Sequence, residues 1–443
     1  MRRPASGVFY GWWIVSASFL ILFVTVGVGL YSPPVFLVPL QEHFGWSRAQ
    51  ISGGSAVAAL VTGLASPLVG VWIDRFGARR VMGLGTLGMA GGFGLFCFMQ
   101  SLWQLYAINA LAAFGITCAA WLPNQTLIAN WFSRRRGLAM GIALTGIGFG
   151  GMTMAPLADL LISSFGWRIA FAGLASGVAA VVIVVLTVIR SRPGDLGLLP
   201  DGEVTEGEVT EGEVTEGETD SESETIASQD SLVEGLEIGE SLRTRGFWVL
   251  SLCNLLSVFA SLSVVGHLVA LLTDAGFASR VGASTLGLTI GVSVVGRLLF
   301  GTLADRFSKR AILSAAFVLH SIGVLLLFGL GFSGALAGFA VLFGLSLGGE
   351  AVLVPLLVGD CFGLRAFGKI LGAIMISATL GAAIGPTLTG YIFDVTGTYR
   401  LALLLHIAAL LLAATLAHLI PAVVDTRLRP EGSRDRPMYN GGS

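Results

Sequence analysis

Charge is what this chain has least of. Only 12% of its 443 residues are Asp, Glu, Lys or Arg, against roughly 25% in a soluble domain. With 54% hydrophobic residues as well, it cannot build a water-soluble surface and reads as a polytopic membrane protein. The net charge of −1 leaves no basic field for nucleic acid. Cysteine is scarce: Cys97, Cys118, Cys253 and Cys361 each lie in or at the end of an apolar run, with no Cys-x-x-Cys. That pattern predicts neither a disulfide nor a metal site. There is no Gly-x-x-x-x-Gly-Lys-Ser/Thr loop, so nucleotide hydrolysis has no sequence support. No nucleophile–base pair or metal cluster marks an enzyme, and no cofactor is expected.

Long apolar runs are abundant. A membrane span needs about 20 apolar residues, and twelve stretches qualify: approximately 10–38, 49–73, 80–99, 103–131, 136–163, 168–190, 246–273, 281–304, 311–332, 335–361, 367–393 and 400–421. The start Met1-Arg2-Arg3-Pro4 has the look of a signal-peptide n-region. The run behind it is too long for an h-region and lacks a small-residue cleavage site, so it reads as a retained first helix. Placing the N-terminus in the cytoplasm puts 21 of the 26 Lys and Arg inside, 4 outside and one, Arg297, within a span. That bias predicts cytoplasmic termini in a cell (inner) membrane.

Four segments follow. Residues 1–190 form a six-helix bundle, 191–243 a cytoplasmic linker, 244–424 a second six-helix bundle, and 425–443 a cytoplasmic tail. In the linker Gly202-Glu203-Val204-Thr205-Glu206 recurs at Gly207 and Gly212. An acidic, repetitive stretch without aromatics predicts a disordered, solvated tether.

The two bundles are related. Gly70, Asp74, Arg75, Phe76, Gly77, Arg79 and Arg80 lie between spans 2 and 3. Gly301, Asp305, Arg306, Phe307, Ser308, Lys309 and Arg310 lie between spans 8 and 9, offset by 231 positions. The same offset carries Gly137 onto Gly368 and Gly141 onto Gly372. A membrane chain that repeats over half its length points to a transporter. The repeated loop, with twelve spans and a central linker, resembles the major facilitator superfamily. The resemblance implies an all-α fold of two pseudo-symmetric six-helix bundles around a central cavity. It makes Gly70, Asp74, Arg75, Gly77, Arg79, Asp305 and Arg306 a cytoplasmic gate. Gly70 permits close helix contact, and Asp74 can pair with arginines near a helix N-terminus, latching one state. Gly141, Gly146, Gly150, Gly372, Gly381 and Gly385 are expected to let helices slide between bundles.

A finer resemblance rests on Asn130-Trp131-Phe132-Ser133-Arg134-Arg135-Arg136-Gly137-Leu138-Ala139-Met140-Gly141. It is similar to a stretch of the monocarboxylate transporter family and its bacterial relatives, including oxalate:formate antiporter-like proteins. Tyr10-Gly11-Trp12-Trp13, Gly266-His267-Leu268 and Gly385-Pro386 add weaker matches. In that family helix 8 carries a substrate-binding arginine at the place of Arg297. The residues agree independently. An arginine at this depth costs a few kcal/mol, does not neutralise by losing its proton, and matches a carboxylate with its fork. The alternative is a structural ion pair with Glu350 or another acid.

Glu350, near the middle of helix 10, is a candidate for proton exchange or for pairing with Arg297. His267 in helix 7 is a candidate for substrate contact or proton relay, and Asp274 at that helix's outer end for a proton site. Tyr31 in helix 1, with Trp121 and Asn124 in helix 4, are candidate cavity-lining residues. His320 and His406 read as structural. Two departures bear on chemistry. Helix 11 has no basic residue in its middle, which favours a monoanion over a dianion. Ser293 stands one turn before Arg297, where mammalian members of the resembled family carry an acid.

The leading expectation is proton-coupled symport of a small monocarboxylate such as lactate or pyruvate, by a carrier functional as a monomer. The alternatives are organic-anion exchange of the oxalate:formate type, multidrug efflux, and a non-transporting sensor.

Overall fold

Apolar side chains set where this chain is helical, and caps and glycines set where each helix stops. The computed structural model describes residues 9–132, 135–196, 198–199, 235–304, 306–330, 334–363 and 365–420, without the side chains of Asp74 and Arg136 and without the surroundings of Gly137. Asp305, the acidic repeat at 201–224 and the tail at 425–443 lie outside the described residues.

The helices are α1 Tyr10–Phe44 and α2 Arg48–Phe76, then α3 Ala78–Leu95 and α4 Leu102–Trp131. Next come α5 at 136–165 and α6 at 167–187. The second half holds α7 Arg245–Asp274, α8 Ser279–Ala304, α9 Lys309–Leu326, α10 Ala335–Phe362, α11 Phe367–Thr396 and α12 Arg400–Ala417. Among the described residues eleven helices are long and apolar enough to cross a membrane, and one of them runs across Gly166 as two spans. Gly166 has φ of 80°, a conformation open to glycine and strained for other residues, so the α5–α6 turn needs that residue. Twelve spans result, so the start of α1 and the end of α12 lie on the same face, here called the terminal face.

Local signals explain several boundaries. Ser47 opens α2 with a capping box: its Oγ accepts from Gln50 N at 3.2 Å while Gln50 Oε1 accepts from Ser47 N at 2.9 Å. α1 is interrupted by a π turn at Gly27–Tyr31. The extra residue in such a turn re-aims the side chains that follow and often marks a functional site. α4 bends at Ala120 (φ −94°, ψ −96°), where Asn124 Nδ2 takes up the freed Ala119 carbonyl at 2.9 Å.

Two bundles pack side by side, α1–α6 and α7–α12. The glycines expected to slide between them pack mostly inside each one. Gly146 and Gly150 sit on α1 at Phe19 and Phe23, and Gly381 and Gly385 sit on α7 at Leu255 and Phe259. No atom lies within 4 Å of where a Cβ would stand on Gly141 or Gly372. Small residues here let neighbouring helices of one bundle close up, as in other lipid-embedded packings. Close approaches between the halves are made elsewhere. α5 meets α8 at Gly151–Ile290 and Gly148–Val294, and α2 meets α11 at Ala49–Gly390 and Gly63–Thr379.

The end of the linker is ordered against the second half. Leu236 N donates to Phe362 O at 2.8 Å, Arg365 pairs with Glu237 at 3.0 Å, and a one-turn helix, Ile238–Ser241, leads into α7.

Candidate functional site

The contacts between the halves are unequal along their length. Both helix pairs are antiparallel, so contact positions step down one helix as they step up the other. The sequence Ser279–Asp159, Gly287–Met152, Ile290–Gly151, Val294–Gly148 ends there. Further toward the terminal face, Leu298, one turn beyond Val294 on α8, is exposed, and no described atom lies within 4 Å of where a Cβ would stand on Gly141, two turns beyond Gly148 on α5. α2 and α11 diverge in the same way after Gly63–Thr379: two turns further on, a Cβ on Gly70 would meet only Leu122 of its own half, and one on Gly372 would meet no described atom within 4 Å. The halves therefore close on the face away from the termini and part toward the terminal face.

Arg297 stands at the level where they part, three residues beyond Val294. It lies about 27 Å along α8 from Ser279 at 1.5 Å per residue. Gly348 of α10 sets the helix there: a Cβ on it would stand 2.8 Å from Arg297 N, so α10 packs directly on this stretch of α8. The side chain is half-buried. Its Nε is buried without a hydrogen-bond partner, and it forms no ion pair with a described carboxylate. Tyr31, in the π turn of α1, is buried and near enough to feel the guanidinium charge. Tyr31 and Arg297 thus lie within electrostatic range of each other across the two halves. Trp121 is half exposed on the far side of the α4 bend, and Asn124 is buried with its Oδ1 unpartnered and its amide spent on the bend.

Glu350 does not meet Arg297. It is buried among the second-half helices, where Oε1 lies 2.7 Å from His320 Nδ1 and Oε2 accepts from Ser257 Oγ. His320 is fully buried, and its Nε2 has no hydrogen-bond partner among the described residues. The pair joins α9, α10 and α7, so His320 holds a charge partner that the sequence did not reveal.

His267 and Asp274 belong to a second constellation, the closed face. Arg48, 4% exposed, forks onto Asp274, with Nη2–Oδ1 at 2.8 Å and Nη1 on Oδ2. It also donates from Nε to Gln41 Oε1 at 3.0 Å and from Nη1 to Tyr399 Oη at 2.6 Å. Its guanidinium lies 3.8 Å from the Phe393 ring centre. Asp394 accepts the Arg48 and Ala49 backbone N–H groups, each at 2.9 Å, capping α2 from the other half. Burial pushes the Tyr399 phenol up from its ordinary value, so it keeps its proton. Pro386 O only accepts, and it lies 2.9 Å from His267 Nε2. In the neutral ring Nε2 therefore carries the hydrogen, and Nδ1 accepts from Tyr399 Oη at 3.0 Å. The chain Arg48–Tyr399–His267–Pro386 crosses from first half to second, and Ser52 Oγ of α2 lies 3.1 Å from His267 Nε2. Among the described residues every hydrogen bond between the halves lies on this face. Sequence reasoning counted Arg48 as an outer-loop charge and passed over Asp394 and Tyr399. Their only sequence signal was charge or phenol at a helix end.

On the terminal face, Gly70, Arg75, Gly77, Arg79 and Arg306 sit in or beside the two repeated loops. Gly77 has φ of 81°, and Arg79 donates to the Leu186 carbonyl of α6.

The chain is similar to known proteins in sequence and fold. The Major Facilitator Superfamily model matches residues 17–308 and 287–440. The chain belongs to that superfamily. Human monocarboxylate transporter 11 is 29% identical over 415 residues, covering 89% of this chain and 80% of that protein. Mouse monocarboxylate transporter 12 is 26% identical, covering 89% and 82%. An uncharacterized MFS-type transporter, YcxA of Bacillus subtilis strain 168, is 24% identical, covering 83% and 84%. The fold matches a bacterial homolog of the human lysosomal transporter Spinster, solved inward-facing and unoccupied, with a TM-score of 0.71 over 95% of this chain and 98% of that one at 16% identity. This superfamily member is thus a multi-pass membrane transporter, and its family is not an enzymatic one.

Proposed function

We propose that this transporter carries a small monocarboxylate, of the lactate or pyruvate kind, together with a proton. One observation carries the reading: an arginine with no ion-pair partner among the described residues stands where the two halves part, within electrostatic range of a buried tyrosine from the other half. A guanidinium so placed needs an anion, and its planar fork fits one carboxylate. No second cation faces it from the middle of α11, which favours a monoanion. The relatives named monocarboxylate transporters support the same substrate class.

The remaining steps of the proposal use the same geometry. Substrate enters between the parted halves, and the carboxylate neutralises Arg297 while Tyr31 contributes a hydroxyl. The buried Glu350–His320 pair, packed through α10 against the Arg297 stretch of α8, takes the proton. With both charges compensated the halves rock, the Arg48–Asp274 and Asp394 contacts open, and the repeated terminal-face loops close in their turn. The Lys and Arg bias makes the terminal face cytoplasmic, in the cell membrane. The two bundles of a single chain form the whole carrier, which works as a monomer.

The test uses purified protein in proteoliposomes with an imposed pH gradient and a panel of radiolabelled acids. Arg297→Lys keeps the charge but loses the fork. One hydrogen bond to a charged group contributes on the order of 1.5–3 kcal/mol, so substrate affinity should fall about tenfold or more. Arg297→Ala should abolish binding. An Arg297→Ala protein that folds and binds the identified acid with wild-type affinity makes the arginine structural and removes the carboxylate assignment.

A further inference from the structure

The groove of about 940 Å³ between α3 and α6 lies on the outer flank of the first bundle, away from the parting of the halves. Five arginines ring its terminal-face end: Arg75, Arg79 and Arg80 from the repeated loop, and Arg190 and Arg192 from the end of α6. None forms an ion pair with a described carboxylate. The only described carboxylate at the rim is Asp195, whose Oδ2 accepts from Arg192 N at 3.1 Å. Below the arginines the wall turns apolar. Leu84 is 73% exposed, and Leu87 and Leu186 are also exposed. From Arg80 to Leu87 is about 10 Å along α3.

Strong positive charge at the membrane surface above an open apolar trough describes one kind of guest. We infer that this groove is a specific site for an anionic phospholipid. Its phosphate sits among Arg80, Arg190 and Arg192, and its acyl chains run down over Leu84, Leu87 and Leu186. A soluble phosphate would use the arginines and leave the exposed leucine wall uncovered. A neutral lipid would cover the wall and leave the five arginines without an anionic partner among the described residues. Charge complementarity and apolar burial favour an anionic lipid together. The inference needs only that α3 and α6 span a membrane and does not depend on the transported substrate.

The experiment is native mass spectrometry of the full-length protein. It is titrated with phosphatidylglycerol, with phosphatidylcholine of matched acyl chains, and with soluble glycerol phosphate as competitor. The wild type should retain phosphatidylglycerol over phosphatidylcholine by about tenfold or more. Arg80→Gln/Arg190→Gln/Arg192→Gln should lose that preference, at roughly fivefold per arginine. Arg280→Gln/Arg400→Gln, which removes two exposed charges from the opposite face, should keep it. If the triple variant does not fold, Arg192→Gln alone should show a partial loss. Equal retention of both lipids, an unchanged preference in the groove variants, or an equal loss in the opposite-face control overturns the site. Displacement of phosphatidylglycerol by glycerol phosphate also overturns it, because the groove would then be a soluble-anion site.

Discussion

Asp274→Asn tests the closed face directly. The substitution keeps the shape and one hydrogen-bond acceptor but removes the negative charge from the Arg48 fork. Removing one partner of a fully buried pair costs about 3–5 kcal/mol, and an exposed pair contributes only about 0.2–1 kcal/mol. Arg48 is 4% exposed and Asp274 36%, so this pair falls between those limits. Arg48 keeps Gln41, Tyr399 and the Phe393 ring, which softens the loss further. A cost of about 2 kcal/mol is expected, which shifts the ratio of closed to open conformers on this face by a factor of about thirty. Spin labels on Glu42 and Arg400, in a background freed of the four cysteines, read the gap by electron–electron distance measurement. The variant should show a new longer-distance population that the wild type lacks, and faster substrate counterflow. A distance distribution superimposable on the wild type's, with unchanged counterflow, would refute the assignment of this ion pair as the element that holds the face shut.

Glu350→Gln should preserve counterflow exchange of labelled substrate but lose accumulation driven by a pH gradient; wild-type accumulation would move proton coupling away from the Glu350–His320 pair. Gly390→Val should prop the closed face open and slow turnover several-fold, because a Cβ there stands 2.8 Å from the Ala49 nitrogen. Normal turnover with a wild-type label distance would mean that α2 and α11 yield at this crossing. Deleting 201–224 should leave uptake largely intact, because an acidic stretch of this composition buries no apolar surface; loss of uptake in a variant that reaches the membrane would reject the tether.

How much was legible beforehand depended on whether a residue's role is local. Gly166 and Gly77 work through their own backbone conformation, and the apolar runs through their own length, so the twelve spans and the paired loops could be read directly. Arg297 was legible for a similar reason. A guanidinium deep in an apolar run is costly wherever the chain puts it, so the sequence alone required an anionic partner. The identity of that partner was left open between Glu350 and a substrate. Packing answered the first part: Glu350 turns to His320 and Ser257, and Arg297 pairs with no described carboxylate.

Of the closed face, His267 and Asp274 stood out in the sequence, but their partners did not. Arg48 meets Asp274, Asp394 and Tyr399 over separations of 226, 346 and 351 residues, and no periodicity or motif links positions so far apart. A charge near a helix end looks the same whether it faces water or a partner bundle. The sequence by itself determined the class, the span count and the twofold repeat, because these follow from solvation of the backbone and side chains residue by residue. Only the tertiary structure decided which polar groups pair between halves, since that depends on where two independently packed bundles touch.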